Sequence, residues 1–364
     1  MMNNIGKRTG KGVIAVTYPE EFSKKEFIGL ANAAGLLVAR VVTQKYLGNK
    51  YGVGAGKAEE IKQICEEIRC EGIIVDEHLT SSQAYNLSKL TGQDVTDRER
   101  LILDIFSKRA TTAEGKLQVQ LAELKYAMPR VKDEVNRTLG TERQGFSGGG
   151  ASAVDVRFRD MKRQMSFIQK RLLQVAKQRS LFRNQRERLD MPLVSLVGYT
   201  SSGKTTLFNN LTFEEKEVSN SLFTTLSTTT RTAVLPDSTK ILLSDTVGFI
   251  SRLPTYMIEA FKSTLDELIY ANLVLLLLDV SESLQDMDLK YRSCWDILRE
   301  LKVPASRVIV VLNKSDLAPD ERINHARNLT AELPSVTISA KRGDGTHKLK
   351  NIILQRVSSK PSGS

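Results

Sequence analysis

The tetrapeptide Asn313-Lys314-Ser315-Asp316 follows the apolar run Val308 to Leu312. A carboxylate so placed can accept paired hydrogen bonds from the N1–H and 2-amino groups of guanine. Adenine has no donors at those two positions and would leave the carboxylate desolvated and unpaired, a loss of about 2–3 kcal/mol for a charged hydrogen bond. Four residues alone are weak, because Asn-Lys-x-Asp arises by chance. Here the tetrapeptide is one of four elements standing in the order that a guanine-nucleotide switch requires.

Gly198-Tyr199-Thr200-Ser201-Ser202-Gly203-Lys204-Thr205 fits G-x-x-x-x-G-K-[ST] and follows the strand-like run Leu193 to Val197. Glycines in such a loop let backbone N–H groups close around phosphate oxygens, and the helix that follows presents its positive end. Lys204 is expected to reach the β and γ phosphates and Thr205 to place its hydroxyl on Mg²⁺, with Thr206 completing the phosphate-side set. Asp245-Thr246-Val247-Gly248 ends the strand Ile241 to Ser244. Asp245 is expected to hold Mg²⁺ through water, and the Gly248 N–H to meet the γ-phosphate and swing away after it leaves. Lys204 and Gly248 are therefore the candidate catalytic residues. Between the two motifs lies Phe223-Thr224-Thr225-Leu226-Ser227-Thr228-Thr229-Thr230-Arg231, rich in hydroxyls. One of its threonines should complete the Mg²⁺ shell, and spacing leaves both Thr225 and Thr229 open. Ser339-Ala340-Lys341 follows the strand Val336 to Ile338, where a backbone N–H can touch the guanine oxygen. The ordered set points to GTP/GDP and Mg²⁺ as ligands. Many GTPases place a water-orienting Gln after the glycine of the third motif, but this chain has Phe249. Intrinsic hydrolysis is accordingly expected to be slow unless a partner completes the site.

These residues need a sheet to hold them. Leu273 to Val280 and Val308 to Leu312 are continuous apolar runs, as in strands covered on both faces. Thr232 to Leu235 and Ile241 to Ser244, joined through Pro236 and Asp237, predict an antiparallel hairpin at the sheet edge. Upstream, residues 12–96 alternate strands (Val13 to Thr17, Leu36 to Thr43, Gly72 to Asp76) with helices (Phe27 to Ala34, Lys57 to Ile68, Ser82 to Leu90). That pattern predicts a small parallel α/β layer. Within it, Gly52-Val53-Gly54-Ala55-Gly56-Lys57 lacks phosphate-loop spacing, since Tyr51 stands where a glycine is needed, and reads as a loop before a helix. The period then changes. Leu117, Leu121, Leu124, Met128, Val131 and Val135, and later Phe158, Met161, Met165, Ile168, Leu172, Val175 and Phe182, follow coiled-coil spacing with Arg179 at one polar seam position. Two long helices folded into an antiparallel arm are expected, with a kink or break at Pro129 and a glycine-rich tip at 140–150. The resulting fold class is α/β: an N-terminal parallel α/β subdomain (1–106), a helical coiled-coil arm (107–190), a Ras-like P-loop G domain (191–358) and a tail (359–364).

The net charge is +11, and residues 107–190 carry 19 basic against 9 acidic side chains, whereas the flanking segments are nearly balanced. So lopsided a helix pair is expected to meet a polyanion, and with few aromatics outside the seam it suits the phosphates of folded RNA. Three cysteines with no CxxC pair, no signal-peptide pattern and no apolar run near the roughly 20 residues of a membrane span point to a cytoplasmic protein without a membrane span, expected to be a monomer. His78, His325 and His347 are isolated, which predicts surface or capping roles, and Trp295 is expected in the core. Two other functions fit a nucleotide switch: a signalling GTPase acting on a protein partner, and an RNA-remodelling nucleotide-dependent factor working through the N-terminal domain.

A longer set of residues carries a resemblance. Asp76-Glu77, Gln83, Asn86-Leu87, Asp97-Arg98, Leu101 to Phe106, Arg109-Ala110, Glu114 to Val119, Leu121-Ala122, Leu124-Lys125-Tyr126 and Pro129-Arg130 form one stretch. With Gly198-Tyr199-Thr200, Leu222-Phe223, Thr225-Leu226, Thr229-Thr230-Arg231 and Asp245 to Ile250, the chain resembles the HflX family of ribosome-associated GTPases, within the Obg–HflX-like P-loop class. The resemblance implies an α/β N-terminal part, a helical arm and a Ras-like GTPase. It also implies binding to the large ribosomal subunit and its RNA, with a role in splitting or rescuing ribosomes under stress. By analogy with relatives sharing the Phe-x-Thr-Leu loop, Thr225 is the implied Mg²⁺ ligand beside Thr205 and Asp245. Three departures stand out. Ser201 replaces an Asn that helps relatives hold potassium, Ser227-Thr228 replaces Asp-Pro, and the glycine-rich linker is degenerate between Gly145 and Arg159.

Overall fold

Strands that read as continuous apolar runs become the buried centres of two sheets. The computed structural model describes the backbone of residues 12–142, 149–188, 191–212, 222–223 and 229–358; side chains are described for the same stretches except 133–142, 149–154, 182–188, 263, 264 and 266. Thr224, Thr225, Leu226 and Ser227, most of the arm tip, the tail, and the side chains of Val135, Phe182, Arg183, Arg186 and Arg188 lie outside the described residues. The chain forms two compact units. One comprises Met1–Lys108 and Lys116–Arg171; the other comprises Arg109–Gly115 and Leu172–Ser364.

In the first unit the order is β1 (Val13–Thr17), α1 (Glu21–Ala33), β2 (Val38–Thr43), α2 (Ala55–Ile68), β3 (Ile73–Val75), α3 (Ser81–Thr91), β4 (Val95–Asp97) and α4 (Arg98–Arg109). The sheet runs β2-β1-β3-β4, with every pairing parallel. Ile14, Val16, Ile73 and Val75 pack against Ile61 and Leu87 of the helices. Thr80 and Gln83 start α3 with a reciprocal capping box, and Gly92 ends it in the left-handed region. Strand β4 escapes sequence reading because three residues show no alternation. The Gly52–Lys57 stretch is the loop and helix start expected: Gly54 caps α2, and Lys57 pairs with Glu60 at 2.7 Å.

The carboxyl ends of β1, β3 and β4 converge on buried charge. Arg98 donates to Asp76 Oδ1 and Glu26 Oε2, each at 2.6 Å, while Thr17 Oγ1 donates to Asp76 Oδ2 at 2.7 Å. Beside it, Asp97 accepts from Tyr126 Oη (3.0 Å), Arg130 (2.8 Å) and the Arg100 N–H (2.8 Å). Burial raises the Asp97 pKa, and these donors oppose the shift. His78, half exposed, sits 3.3 Å from Glu99, whose hydrogen bond raises its pKa.

Two long helices follow, α5 (Ala113–Glu142) and α6 (Gly149–Arg188). Helix α5 runs through Pro129 rather than breaking there. An internal proline costs about 3 kcal/mol, and the Tyr126 and Arg130 contacts to Asp97 hold the turns on either side in place. The α5 seam is also broader than the heptad reading. Leu121 and Val131 are buried but Leu117, Leu124 and Met128 only partly so, while Val119, Ala122 and Tyr126 form a second buried stripe. In α6 the expected seam is followed in part, with Met161, Ile168 and Leu172 buried and Phe158, Met165 and Val175 half-buried. Its polar member Arg179 forms an ion pair with Glu114. The glycine-rich tip is shorter than 140–150, because helix continues to Glu142 and resumes at Gly149.

The second unit contains β5 (Leu193–Gly198), α7 (Lys204–Thr212), β6 (Thr229–Val234), β7 (Lys240–Asp245), α8 (Thr255–Ala260), α9 (Lys262–Ile269), β8 (Leu273–Asp279), α10 (Leu284–Glu300), β9 (Val308–Asn313), α11 (Asp320–Leu329), β10 (Ser335–Thr337) and α12 (Thr346–Ser358). Its sheet runs β10-β9-β8-β5-β7-β6, and only β6 is antiparallel, as the hairpin predicted. Strand β6 starts at Thr229, three residues before the expected start, opposite Asp245. Trp295 is only partly buried and meets Tyr291 edge-on, so it is not core; the buried face of α10 is Met287, Cys294, Ile297 and Leu298.

The ionic cluster yields a prediction. Arg98→Met leaves Glu26 and Asp76 buried without their cation and is expected to destabilise the chain by about 3–5 kcal/mol. Chemical denaturation of the full chain measures this, and an unchanged midpoint would show the cluster contributes nothing.

Candidate nucleotide-binding site

Strand β5 delivers Gly198 to the head of the loop, and α7 begins at Lys204. Gly198 (φ 150°) and Gly203 (φ 95°) bracket the turn, with Ser201 left-handed between them at φ 63°. A Cβ on Gly203 would lie 2.3 Å from Asn313 Nδ2, and one on Gly198 would lie 2.5 Å from the Leu277 carbonyl oxygen. Both positions therefore require glycine. Lys204 is almost fully buried and donates from Nζ to the carbonyls of Gly198 (3.1 Å) and Tyr199 (2.8 Å). Burial pulls its pKa down to about 8, against the opposing pull of the Asp245 carboxylate. The Thr200 and Ser202 hydroxyls are buried in the same loop with no hydrogen-bond partner among the described residues. Buried hydroxyls in a glycine-bracketed loop, next to a cation whose charge burial disfavours, fit an anion such as a phosphate chain.

Across the loop, Thr205 Oγ1 donates to Asp245 Oδ2 at 3.2 Å, and Asp245 is wholly buried at the end of β7. A hydroxyl and a carboxylate side by side are the hard oxygen donors that suit Mg²⁺. Thr206 follows, partly buried in the first turn of α7. Thr246 Oγ1 donates to the Leu196 carbonyl, and Val247 is buried. Gly248 passes so close that an added Cβ would lie 2.9 Å from Thr200 Cγ2 and 3.1 Å from Lys204 Nζ. The next residue is stitched to the loop by backbone: Phe249 N–H donates to Gly198 O (3.0 Å), and Thr200 N–H donates to Phe249 O (2.8 Å). The Phe249 ring is buried, and the Ser251 N–H donates to the Tyr199 hydroxyl at 2.7 Å. Phe223 is left-handed (φ 58°) and buried.

At the base end, Asn313 is buried and bridges two loops. Its Nδ2 donates to Ser202 O at 2.8 Å, and its Oδ1 accepts from Ala340 N–H at 2.9 Å. Lys314 takes a left-handed turn (φ 63°) and binds Asp279, and Ser315 opens the short 3-10 turn that carries Asp316. Asp316 Oδ1 accepts from the Ser339 hydroxyl at 2.7 Å, which holds its carboxyl below the usual range. Its other oxygen faces Arg342 Nε at 3.5 Å, a contact made by a largely exposed side chain. Ala340 is buried, whereas Lys341 points out.

The structure thus gathers the Gly198–Thr206, Asp245–Gly248, Asn313–Asp316 and Ser339–Lys341 segments at the carboxyl ends of β5, β7, β9 and β10. One functional neighbour was missed in sequence: Asp279, which fixes Lys314. Tyr199, expected within the phosphate loop, also fastens the segment after Gly248. A carboxylate closing the apolar run Leu273 to Leu278 was the available signal for Asp279, because open α/β sheets bind ligands beyond the carboxyl ends of their strands.

Comparison with known proteins gives consistent matches along the chain. Residues 21–107 match the family described as GTP-binding GTPase N-terminal, 109–186 the GTP-binding GTPase Middle Region, and 193–314 the 50S ribosome-binding GTPase family. GTPase HflX of Thermococcus kodakarensis is 40% identical over 342 residues, covering 91% of this chain and 77% of that protein. GTPase HflX of Thermofilum pendens is 36% identical over 364 residues, covering 99% and 84%. Among solved structures, a GTP-binding protein from Sulfolobus solfataricus in complex with GDP is similar at TM-score 0.50 and 26% identity, covering 95% of this chain and 99% of that one.

The Asp316 geometry makes base choice testable. Asp316→Asn exchanges an acceptor for a donor and is expected to weaken GDP by about 30- to 100-fold while favouring the xanthine nucleotide. Competition between GDP and XDP for the purified variant measures it, and an unchanged preference would remove Asp316 from base recognition. Loop geometry and similarity over most of the chain agree: the second unit is a GTP-binding, GTP-hydrolysing domain, and the chain belongs to the HflX family of GTPases.

Proposed function

We propose that this GTPase is a ribosome-associated factor that binds the large subunit through residues 1–190 and acts in ribosome splitting or rescue under stress. The observation that carries the reading is the surface of α6. Arg157, Arg159, Lys162, Arg163, Lys170, Arg171 and Lys177 are all exposed there, and only Asp155 and Asp160 oppose them between residues 155 and 181. Together with a G domain matching a 50S ribosome-binding family, an excess of cations at this density supports contact with ribosomal RNA phosphates. In this reading residues 1–106 are the N-terminal domain, 107–190 the arm, 191–358 the G domain and 359–364 a tail. The protein works as a cytoplasmic monomer; among the described residues no helix is long and apolar enough to cross a membrane.

At the nucleotide, the loop 198–206 holds the phosphates and Lys204 supplies a positive charge to the β and γ groups. Thr205, Asp245 and Thr225 would hold Mg²⁺, which when bound neutralises charge between those phosphates. Gly248 offers its N–H to the γ-phosphate, and Asp316 reads the base. The buried Phe249 ring can neither orient water nor donate a hydrogen bond, so the isolated protein hydrolyses GTP slowly.

Two measurements test this. Co-sedimentation with ribosomal subunits should show pelleting with the large subunit in a non-hydrolysable GTP analogue and release in GDP; Arg163, Lys170 and Arg171 changed together to Ala should lower the salt dependence of binding by about 0.7–0.9 per lost phosphate contact. Absence of pelleting in either nucleotide would favour a protein partner instead. Steady-state hydrolysis should rise by about 10³-fold or more when large subunits are added, and fast turnover indifferent to ribosomes would refute the role given to Phe249.

A further inference from the structure

Two of the three cysteines face each other far from the nucleotide chemistry in sequence. Cys65 lies in the last turn of α2, and Cys70 follows that helix. Arg69 between them is left-handed (φ 49°, ψ 53°) and turns the chain back on the helix end. The two Sγ atoms are 3.0 Å apart. Both thiols are buried, at 2% and 5% exposure, yet both line an open cleft of about 470 Å³ with Glu66, Arg69, Glu71 and Thr91 among its walls. Packing alone accounts for a buried cysteine used as a small apolar filler. It does not call for two sulfurs in contact at the wall of a cleft that a small polar molecule can enter.

A disulfide bond is about 2.05 Å long, so roughly 1 Å of approach separates this pair from one. Cys65 is fixed by its helix, but residues 69–72 carry neither helix nor strand, so the link to β3 can supply the movement. Burial, and after it the contact with Cys70, pushes the Cys65 thiol up, which keeps that sulfur protonated at rest.

We propose that Cys65 and Cys70 form a redox-active dithiol that closes reversibly to a disulfide, with a hydroperoxide as oxidant. One sulfur attacks the peroxide; the O–O bond breaks, the thiol proton leaves with the departing oxygen as water, and a sulfenic acid remains. The second thiol then attacks that sulfur and expels a second water. Two thiols and one hydrogen peroxide become one disulfide and two waters, and a dithiol reductant reverses the step. The inference does not depend on the ribosome reading.

The chain carries its own test, because Arg69 is a tryptic site between the two cysteines. The full-length protein is treated with hydrogen peroxide, alkylated under denaturing conditions and digested without reductant. Peptides 63–69 and 70–89 are expected as a disulfide-linked pair that separates on reduction. Cys294, buried in the other unit, which contains no other cysteine, should be recovered alkylated. In Cys65→Ser, treatment should instead leave a sulfenic acid on Cys70 that dimedone traps, absent from the wild type. Recovery of both wild-type peptides singly alkylated, or as over-oxidised acids without linkage, would overturn the proposal, as would equal dimedone labelling in both proteins.

Discussion

The side-chain amide of Asn313 is the interaction on which the nucleotide site depends. One atom donates to a carbonyl of the phosphate loop and the other accepts from the loop that follows β10. The amide is almost wholly buried, where both bonds are strengthened and neither end can turn to water. Its approach is possible only because Gly203 lacks a side chain. Three loops that are distant in sequence therefore behave as one piece, and the separation between phosphate cradle and base pocket is set by the length of one asparagine. Lys314, pinned to Asp279, extends that piece to β8.

The opposite end of the site is built differently. Gly248 leaves no room for a side chain against Thr200 and Lys204, and the next residue is joined to the loop by two backbone hydrogen bonds. One end of the site is thus tied by a buried side-chain amide and the other chiefly by backbone hydrogen bonds.

How much of this was legible in the sequence follows from range. The loop 198–206, Asp245–Gly248, Asn313–Asp316 and Ser339–Lys341 could be read because each is a local pattern attached to an apolar strand. The β6–β7 hairpin and the α6 seam were legible for the same reason, and Arg179, the polar member of that seam, proved to be paired. What could not be read was pairing across the chain. Ser202 and Asn313 are 111 positions apart, and nothing near either announces the other. Strand β4 was too short for a period, and the Arg98 cluster joins residues 22 and 72 positions apart. Trp295 misled because local pattern was allowed to outweigh tertiary contact: α10 turns its aromatic ring to the rim. Pro129 allowed either a kink or a break, and α5, fastened to Asp97 on both sides of the proline, does not break.

The Glu114–Arg179 ion pair has a consequence for the order in which the protein is made. Its partners are 65 positions apart, and both belong to the second compact unit, which leaves the chain at Gly115 and resumes at Leu172. The residues of the first unit all lie at or before Arg171. On a ribosome, which makes the chain from its N-terminus and lets domains fold as they emerge, they are therefore all synthesised while Glu114 still waits for its arginine. The segment Arg109–Gly115 is then an early-made strap that closes only after translation has passed α6, so the nascent chain acquires its nucleotide-binding half last.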